Sequence, residues 1–221
     1  MKLSDTLYDS VIDLWKKAAE KPFLIQMAEG ELEKERFRYY MVQDYLYLLD
    51  YIEILKNLRM AAEDASLKEF LSSVIKETEH ETVRVHIPHM KEIGVDPETL
   101  PAFKKNPVIE EYLDYISSVL CRDGVRAGMT ALLQCSWVYA FIVDRILSRY
   151  QNKTVSSPYR FWFEAYSCPE YIEANNRWIE KVDHLSAGIG QEEAEALAGI
   201  FRRCAVYENR FWDALMQEPL V

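Results

Sequence analysis

Glycine and proline are sparse in this chain, seven and eight residues in 221. No Ser/Gly-rich stretch or run of one charge interrupts it, and a flexible linker needs one or the other. One domain spanning 1–221 is therefore expected. Cysteine is scarce too: Cys121, Cys135, Cys168 and Cys204 are far apart, with no C-x-x-C pair. That argues against a zinc site or a disulfide framework and fits a reducing cytoplasm. Positive charge is in deficit, with 26 Lys and Arg against 36 Asp and Glu and a net charge of −10. With no basic stripe either, nucleic acid is not an expected partner. Long apolar runs are missing as well. The most apolar stretch, Met129 to Ile146, is broken by Gln134, Asp144 and Arg145, which suits a core helix and not a membrane span. With charges scattered through Met1 to Glu20, that segment is not expected to act as a secretory signal. No segment alternates with period two between turn residues, so no sheet is expected and the fold class is all-α.

Helical periodicity is abundant. It predicts helices over Leu3–Lys21, with Ser4 or Asp5 as N-cap, over Pro22–Gly30, and over Glu33–Arg59. A further helix is expected from Ser66 to Gly94, capped by a Ser66/Glu69 capping box and ended or kinked at Pro88. Asp96–Lys105, with two prolines, reads as a loop. A helix from Pro107 carries Tyr112 and Tyr115, and a separate one covers Gly124–Tyr150. A short aromatic helix at Ser156–Ser167, one at Pro169–Leu185 and a last one at Gln191–Met216 complete the chain.

Three side chains stand out against this pattern. Cys135 lies in the middle of a helix too apolar for a surface, with Gly124, Gly128 and Ala131 before it on the same face and Val138, Tyr139 and Ile142 after it. Interiors are close-packed, so the missing volume next to the thiol predicts either a pocket or neighbouring helices closing onto the glycines. Asp44 falls within a stripe of Phe37, Tyr40, Met41, Tyr47, Leu48, Tyr51 and Leu55. Glu208 shares its face with Leu197, Phe201, Cys204, Phe211, Trp212 and Leu215. Buried acids are paired or hydrogen-bonded, and a tyrosine hydroxyl or an arginine such as Arg126 or Arg145 is the expected structural partner. Two acids and a thiol on three long helices also have the makings of a nucleophile with its acid and base. Fourteen tyrosines suit a pocket lining or an oligomer interface.

Glu77, His80, Glu81, His86 and His89 form a ligand-rich stretch. Di-iron bundles place Glu-x-x-His on two helices, and here Glu77 to His80 occurs once. A solvated charged face is the expected reading, with no metal.

The run QDYLYL at Gln43 to Leu48, QCSWVYA around Cys135, PYRFWFEAYS around Tyr166 and the closing YENRFWDA together resemble the TenA family, thiaminase II, in the same order from Pro22-Phe23 to Trp212. The resemblance implies a haem-oxygenase-like helical bundle without haem or other cofactor, assembled as a homotetramer. It also implies hydrolysis of 4-amino-5-aminomethyl-2-methylpyrimidine in thiamin salvage, and of thiamin. On the matching positions Cys135 becomes the nucleophile, Glu208 the acid/base and Asp44 the anchor of the pyrimidine. Tyr47, Tyr112, Tyr139, Tyr166 and Phe211 become substrate-binding aromatics. SCPEY after Tyr166 departs from the SSxEF expected of the family. The rival functions are a non-catalytic pyrimidine-binding regulator and a metal-dependent oxygenase on the same fold.

Overall fold

The computed structural model describes residues 2–82 and 86–217. Within them the chain forms nine α-helices and no strand: α1 (Leu3–Ala18), α2 (Pro22–Glu29), α3 (Lys34–Ala61), α4 (Ala65–Glu81), α5 (Ile87–Glu92), α6 (Pro107–Thr154), α7 (Arg160–Ser167), α8 (Pro169–Leu185) and α9 (Gln191–Gln217). The expected all-α class is the observed one.

α6 is the axis of the bundle. The two helices expected from Pro107 and from Gly124 run on as one 48-residue element, with a break in helical geometry at Gly124 (φ 80°, ψ −168°). A positive φ of this size suits glycine because it has no Cβ to clash. Buried residues lie on all sides of α6, as expected of a helix enclosed by others. It packs against α9, α3, α8, α7 and α2. By length and composition it could cross a membrane, yet 56% of its most apolar window is buried inside the bundle. It serves as the central core helix, as its interrupting polar residues suggest.

Large aromatics set the depth at which the other helices meet α6. Trp15 of α1 lies 5.4 Å from Trp137, 5.3 Å from Phe141 and 5.9 Å from Phe201, measured between ring centroids. Trp212 of α9 stacks on Tyr40 of α3 at 5.8 Å, and each such contact adds about 0.5–1.5 kcal/mol beyond simple burial. The Tyr40–Trp212 stack also fixes the register of α3 against α9. Asp44 lies one turn after Tyr40 and Glu208 one turn before Trp212, so the stack brings both acids to one level.

Several local expectations give way to better-placed groups. Asp64, not Ser66, caps α4: its carboxylate accepts the Leu67 amide at 2.7 Å and the Ser66 hydroxyl at 2.8 Å. Lys2 stands at the N-cap of α1, while the Ser4 hydroxyl and amide both bond the Asp183 carboxylate at 2.8 Å. Of the helix expected as far as Gly94, the described residues form α4 and α5, and Pro88 sits in the first turn of α5, where its missing N–H costs nothing. Within the expected loop, Pro97–Ala102 winds into a 3-10 turn capped by Asp96.

Gly128 is closed off. A Cβ there would meet Leu120 Cδ1 at 3.0 Å and Leu58 Cδ1 at 3.2 Å. Neighbouring leucines therefore fill the volume that the glycine leaves. The expectation of a pocket at the small residues before Cys135 fails on that face, and the cavity lies on another side of the thiol.

Candidate active site

Asp44 is buried on α3. Its partner is neither Arg126 nor Arg145 but His86, whose Nε2 lies 2.7 Å from Asp44 Oδ2. His86 is itself buried and immediately precedes α5. Arg126 is held elsewhere, donating to the Leu185 carbonyl at 2.9 Å and pairing with Glu193. The ligand-rich stretch thus splits. His80 is exposed, and Glu77 accepts from Ser73 at 2.8 Å and faces Arg177 at 3.8 Å. His89 meets Glu92 at 3.2 Å and stacks on Phe161. Three of the residues fit the expectation of a peripheral charged face; His86, pointing inward, does not. Nothing is described for the side chain of Glu81.

Cys135 lies midway along α6, with Tyr139 one turn later. Its thiol is partly accessible, and it borders two adjoining cavities. Burial, and then the Glu208 carboxyl, push its titration well above the ordinary thiol range, while the Tyr47 hydroxyl pulls the other way. The resting group is a neutral thiol. Local features do not prepare a standing thiolate, so activation has to accompany binding.

Glu208 of α9 is 3% exposed. Burial, then the charge of Asp44, raise its pKa from 4.5 to about 8, against the pull of hydrogen bonds from Cys135 and Tyr112. It is protonated at neutral pH and can act as an acid. The same shift affects stability. Between the usual carboxyl range and about pH 8 the unfolded chain is ionised at Glu208 and the folded one is not. The folded state then binds more protons, so stability falls as pH rises through that window. Glu208→Gln is expected to raise Tm at pH 8 to 9 and to change it little near pH 5. Equal Tm changes at both pH values in a thermal melt series would count against a buried neutral Glu208.

The two cavities join in line. The inner one, about 20 Å³ and so of water size, is lined by Asp44, Tyr47, Tyr112, Cys135, Tyr139, Glu208 and Phe211, together with Val108 and Ile109. The outer one, about 550 Å³, shares Asp44, Tyr47, Cys135 and Tyr139 and opens past Tyr51, Phe70, Tyr171 and Trp178. Tyr47 stacks on Tyr112 with centroids 5.9 Å apart, and Tyr112 on Tyr207 at 5.4 Å. Asp44, Tyr47, Cys135 and Tyr139 border both cavities and Glu208 lines the inner one, so a flat ring bound where the two meet would have a carboxylate, a thiol and a carboxylic acid around it. Seven of the eight residues singled out in the sequence line the inner cavity. Tyr166 does not: it lines the outer chamber and packs on Tyr139 at 4.9 Å. Cys168 and Tyr171, the residues by which SCPEY departs from SSxEF, also face that chamber, as does Glu170.

Two buried polar groups escaped sequence reasoning. His86 could not be told by spacing alone from the exposed His80 of the same stretch. Gln134, buried beside Cys135, accepts the Tyr112 hydroxyl at 3.0 Å. The only signal for it in the sequence was an uncharged polar residue inside the most apolar stretch.

Residues 8–218 match the family described as TENA/THI-4/PQQC, and the chain belongs to that family. It is similar to the aminopyrimidine aminohydrolase of Helicobacter pylori, 28% identical over 218 residues, covering 98% of this chain and 100% of the relative. Its likeness to the aminopyrimidine aminohydrolase of Halalkalibacterium halodurans is 26% over 220 residues, covering 100% of this chain and 98% of the relative. Among solved structures, a TenA homologue from P. horikoshii OT3 superposes with a TM-score of 0.86 at 26% identity, over 97% of this chain and 98% of that one. A domain of unknown function with a heme oxygenase-like fold from Shewanella denitrificans gives 0.76 at 17% identity, over 98% and 93%. The architecture is the haem-oxygenase-like helical bundle.

Proposed function

We propose that this member of the family hydrolyses the C–N bond on the 5-methylene of a 4-aminopyrimidine, converting 4-amino-5-aminomethyl-2-methylpyrimidine to the hydroxymethyl compound in thiamin salvage. The observation that carries the reading is the meeting of Asp44, Cys135 and Glu208 at one aromatic-walled niche. The names of the Helicobacter pylori and Halalkalibacterium halodurans relatives support the same activity.

The chemistry follows from the protonation states. The Asp44 carboxylate accepts hydrogen bonds from the 4-amino group and sets the orientation of the ring, while Tyr47, Tyr112, Tyr139 and Phe211 enclose it. Glu208, protonated at rest, gives its proton to N1 and makes C6 electron-poor. The Cys135 proton passes to the Glu208 carboxylate as sulfur bonds C6, so each proton given up is replaced. The ring electrons then expel the amine, an ammonium group at neutral pH, from the methylene as ammonia, leaving an exocyclic alkene. Water adds to that carbon and gives a proton to the ammonia, the C6–S bond breaks, the N1 proton passes by way of Glu208 to the sulfur, and the aromatic ring and the thiol are restored. A thiol raised by burial suits this order, because the ring itself draws off its proton.

The outer chamber has room for a leaving group much larger than ammonia, which supports thiamin, with its thiazolium ring, as a second substrate. Tyr166 acts there, against the departing group. We further read the chain as a single-domain, cytoplasmic homotetramer without a cofactor, on the strength of the family resemblance. Mass spectrometry of products from the aminomethyl pyrimidine and from thiamin, run side by side, tests both substrates. Hydroxymethylpyrimidine from each is the expected result. Binding of both with no product from either would make the protein a pyrimidine-binding module.

A further inference from the structure

Asp44 and Glu208 face the same small cavity, and two carboxyl groups at close quarters do not both ionise readily. The reaction above needs them in opposite states, one charged to hold the amine and one protonated to supply N1. Something must decide which of them carries the proton. Among the described residues, the polar groups around Glu208 are Cys135, Tyr112 and Tyr139 from α6, Tyr47 and Asp44 from α3 and Cys204 on its own helix, and none of these is a cation. Around Asp44 are the Tyr40 and Tyr139 hydroxyls, the Cys135 thiol, Glu208 and the His86 ring. Among these described residues the imidazole is the one group able to bear a positive charge, and it lies 2.7 Å from Asp44.

We propose that His86 is a positioning residue that assigns the two carboxyl groups their roles, holding Asp44 ionised through the 2.7 Å contact and so leaving the proton on Glu208. Whether as imidazolium or as neutral ring with a proton on Nε2, His86 donates to Oδ2 and stabilises the charged form of Asp44. The Asp44 charge in turn adds to burial in keeping the proton on Glu208. Occupying Oδ2 also fixes the carboxylate plane, leaving the other oxygen for substrate. His86 touches no reacting atom, and its effect reaches the chemistry through Asp44. The assignment deepens the proposed reaction and rests on it for its purpose, but its central test needs no substrate.

A buried protonated carboxylic acid has an infrared C=O stretch well separated from that of a carboxylate. At pH 6 the wild-type protein is expected to show this band, and Glu208→Gln to abolish it. In a His86→Leu background the band should survive Glu208→Gln, because the proton has moved to Asp44, and should vanish when Asp44→Asn is added. His86→Gln, whose amide can still donate to Asp44, should behave as wild type. Turnover provides a second readout: His86→Leu should lower kcat/KM by about ten- to a hundred-fold, the scale of a lost hydrogen bond to a charged group, and His86→Gln should restore most of it. Loss of the band from His86→Leu/Glu208→Gln would overturn the assignment even if the wild-type enzyme turns over normally. The expected bands in a protein that forms no product would leave the assignment standing and sink the reaction. Should His86→Leu not fold, a wild-type band removed by Asp44→Asn and untouched by Glu208→Gln would be equally fatal.

Discussion

Replacing Cys135 by alanine is expected to lower turnover of the aminomethyl pyrimidine by about 10⁴- to 10⁶-fold, the scale on which removal of a nucleophile is felt when acid, base and nucleophile act as a unit. Binding of the pyrimidine should persist, because the Asp44 anchor and the aromatic walls stay in place. Calorimetric titration with the hydroxymethyl product, beside a steady-state assay, separates the two effects. The substitution removes only a sulfur bordering two cavities, so the fold has little reason to change. Alanine turning over at anything near the wild-type rate would remove covalent catalysis and leave direct attack by water.

The second large effect belongs to Glu208. Glu208→Gln keeps the shape and loses the transferable proton, so kcat is expected to fall roughly 10²- to 10⁴-fold, the usual contribution of a positioned acid. KM should move much less. The pH profile gives the sharper reading. In the wild type kcat/KM should decline as pH rises through about 8, where Glu208 gives up the proton that N1 needs. In Glu208→Gln that decline should be absent from the residual activity. A loss of only two- or three-fold, with the alkaline limb intact, would assign Glu208 to structure.

The fold was largely legible in the sequence because its helices announce themselves by period. The central helix was evident from an apolar density that no surface helix could carry, and the polar residues inside it argued for a core element. Asp44 and Glu208 were legible for a related reason: a carboxyl group in an apolar stripe contradicts the pattern around it, and such contradictions mark places where packing alone does not explain the residue. What could not be read was how contradictions are resolved between helices. His86 lies 42 residues from Asp44, and only the packing of the two segments against each other brings them together. No periodicity encodes that meeting. The glycines failed as a guide for the opposite reason. Gly128 looked like missing volume, but Leu58 and Leu120 close over it, and a wheel diagram of one helix cannot show what a neighbour brings. The state of Cys135 was equally hidden, since burial and a nearby acid raise its pKa only once α3, α6 and α9 are assembled.

Soaking the hydroxymethyl pyrimidine product into crystals tests the meeting of the three side chains most directly. The ring should lie where the two cavities meet, its 4-amino group on Asp44, N1 towards Glu208 and C6 within van der Waals reach of the Cys135 sulfur. Electron density placing the ring wholly in the outer chamber, beyond reach of the sulfur and of Glu208, would contradict the account.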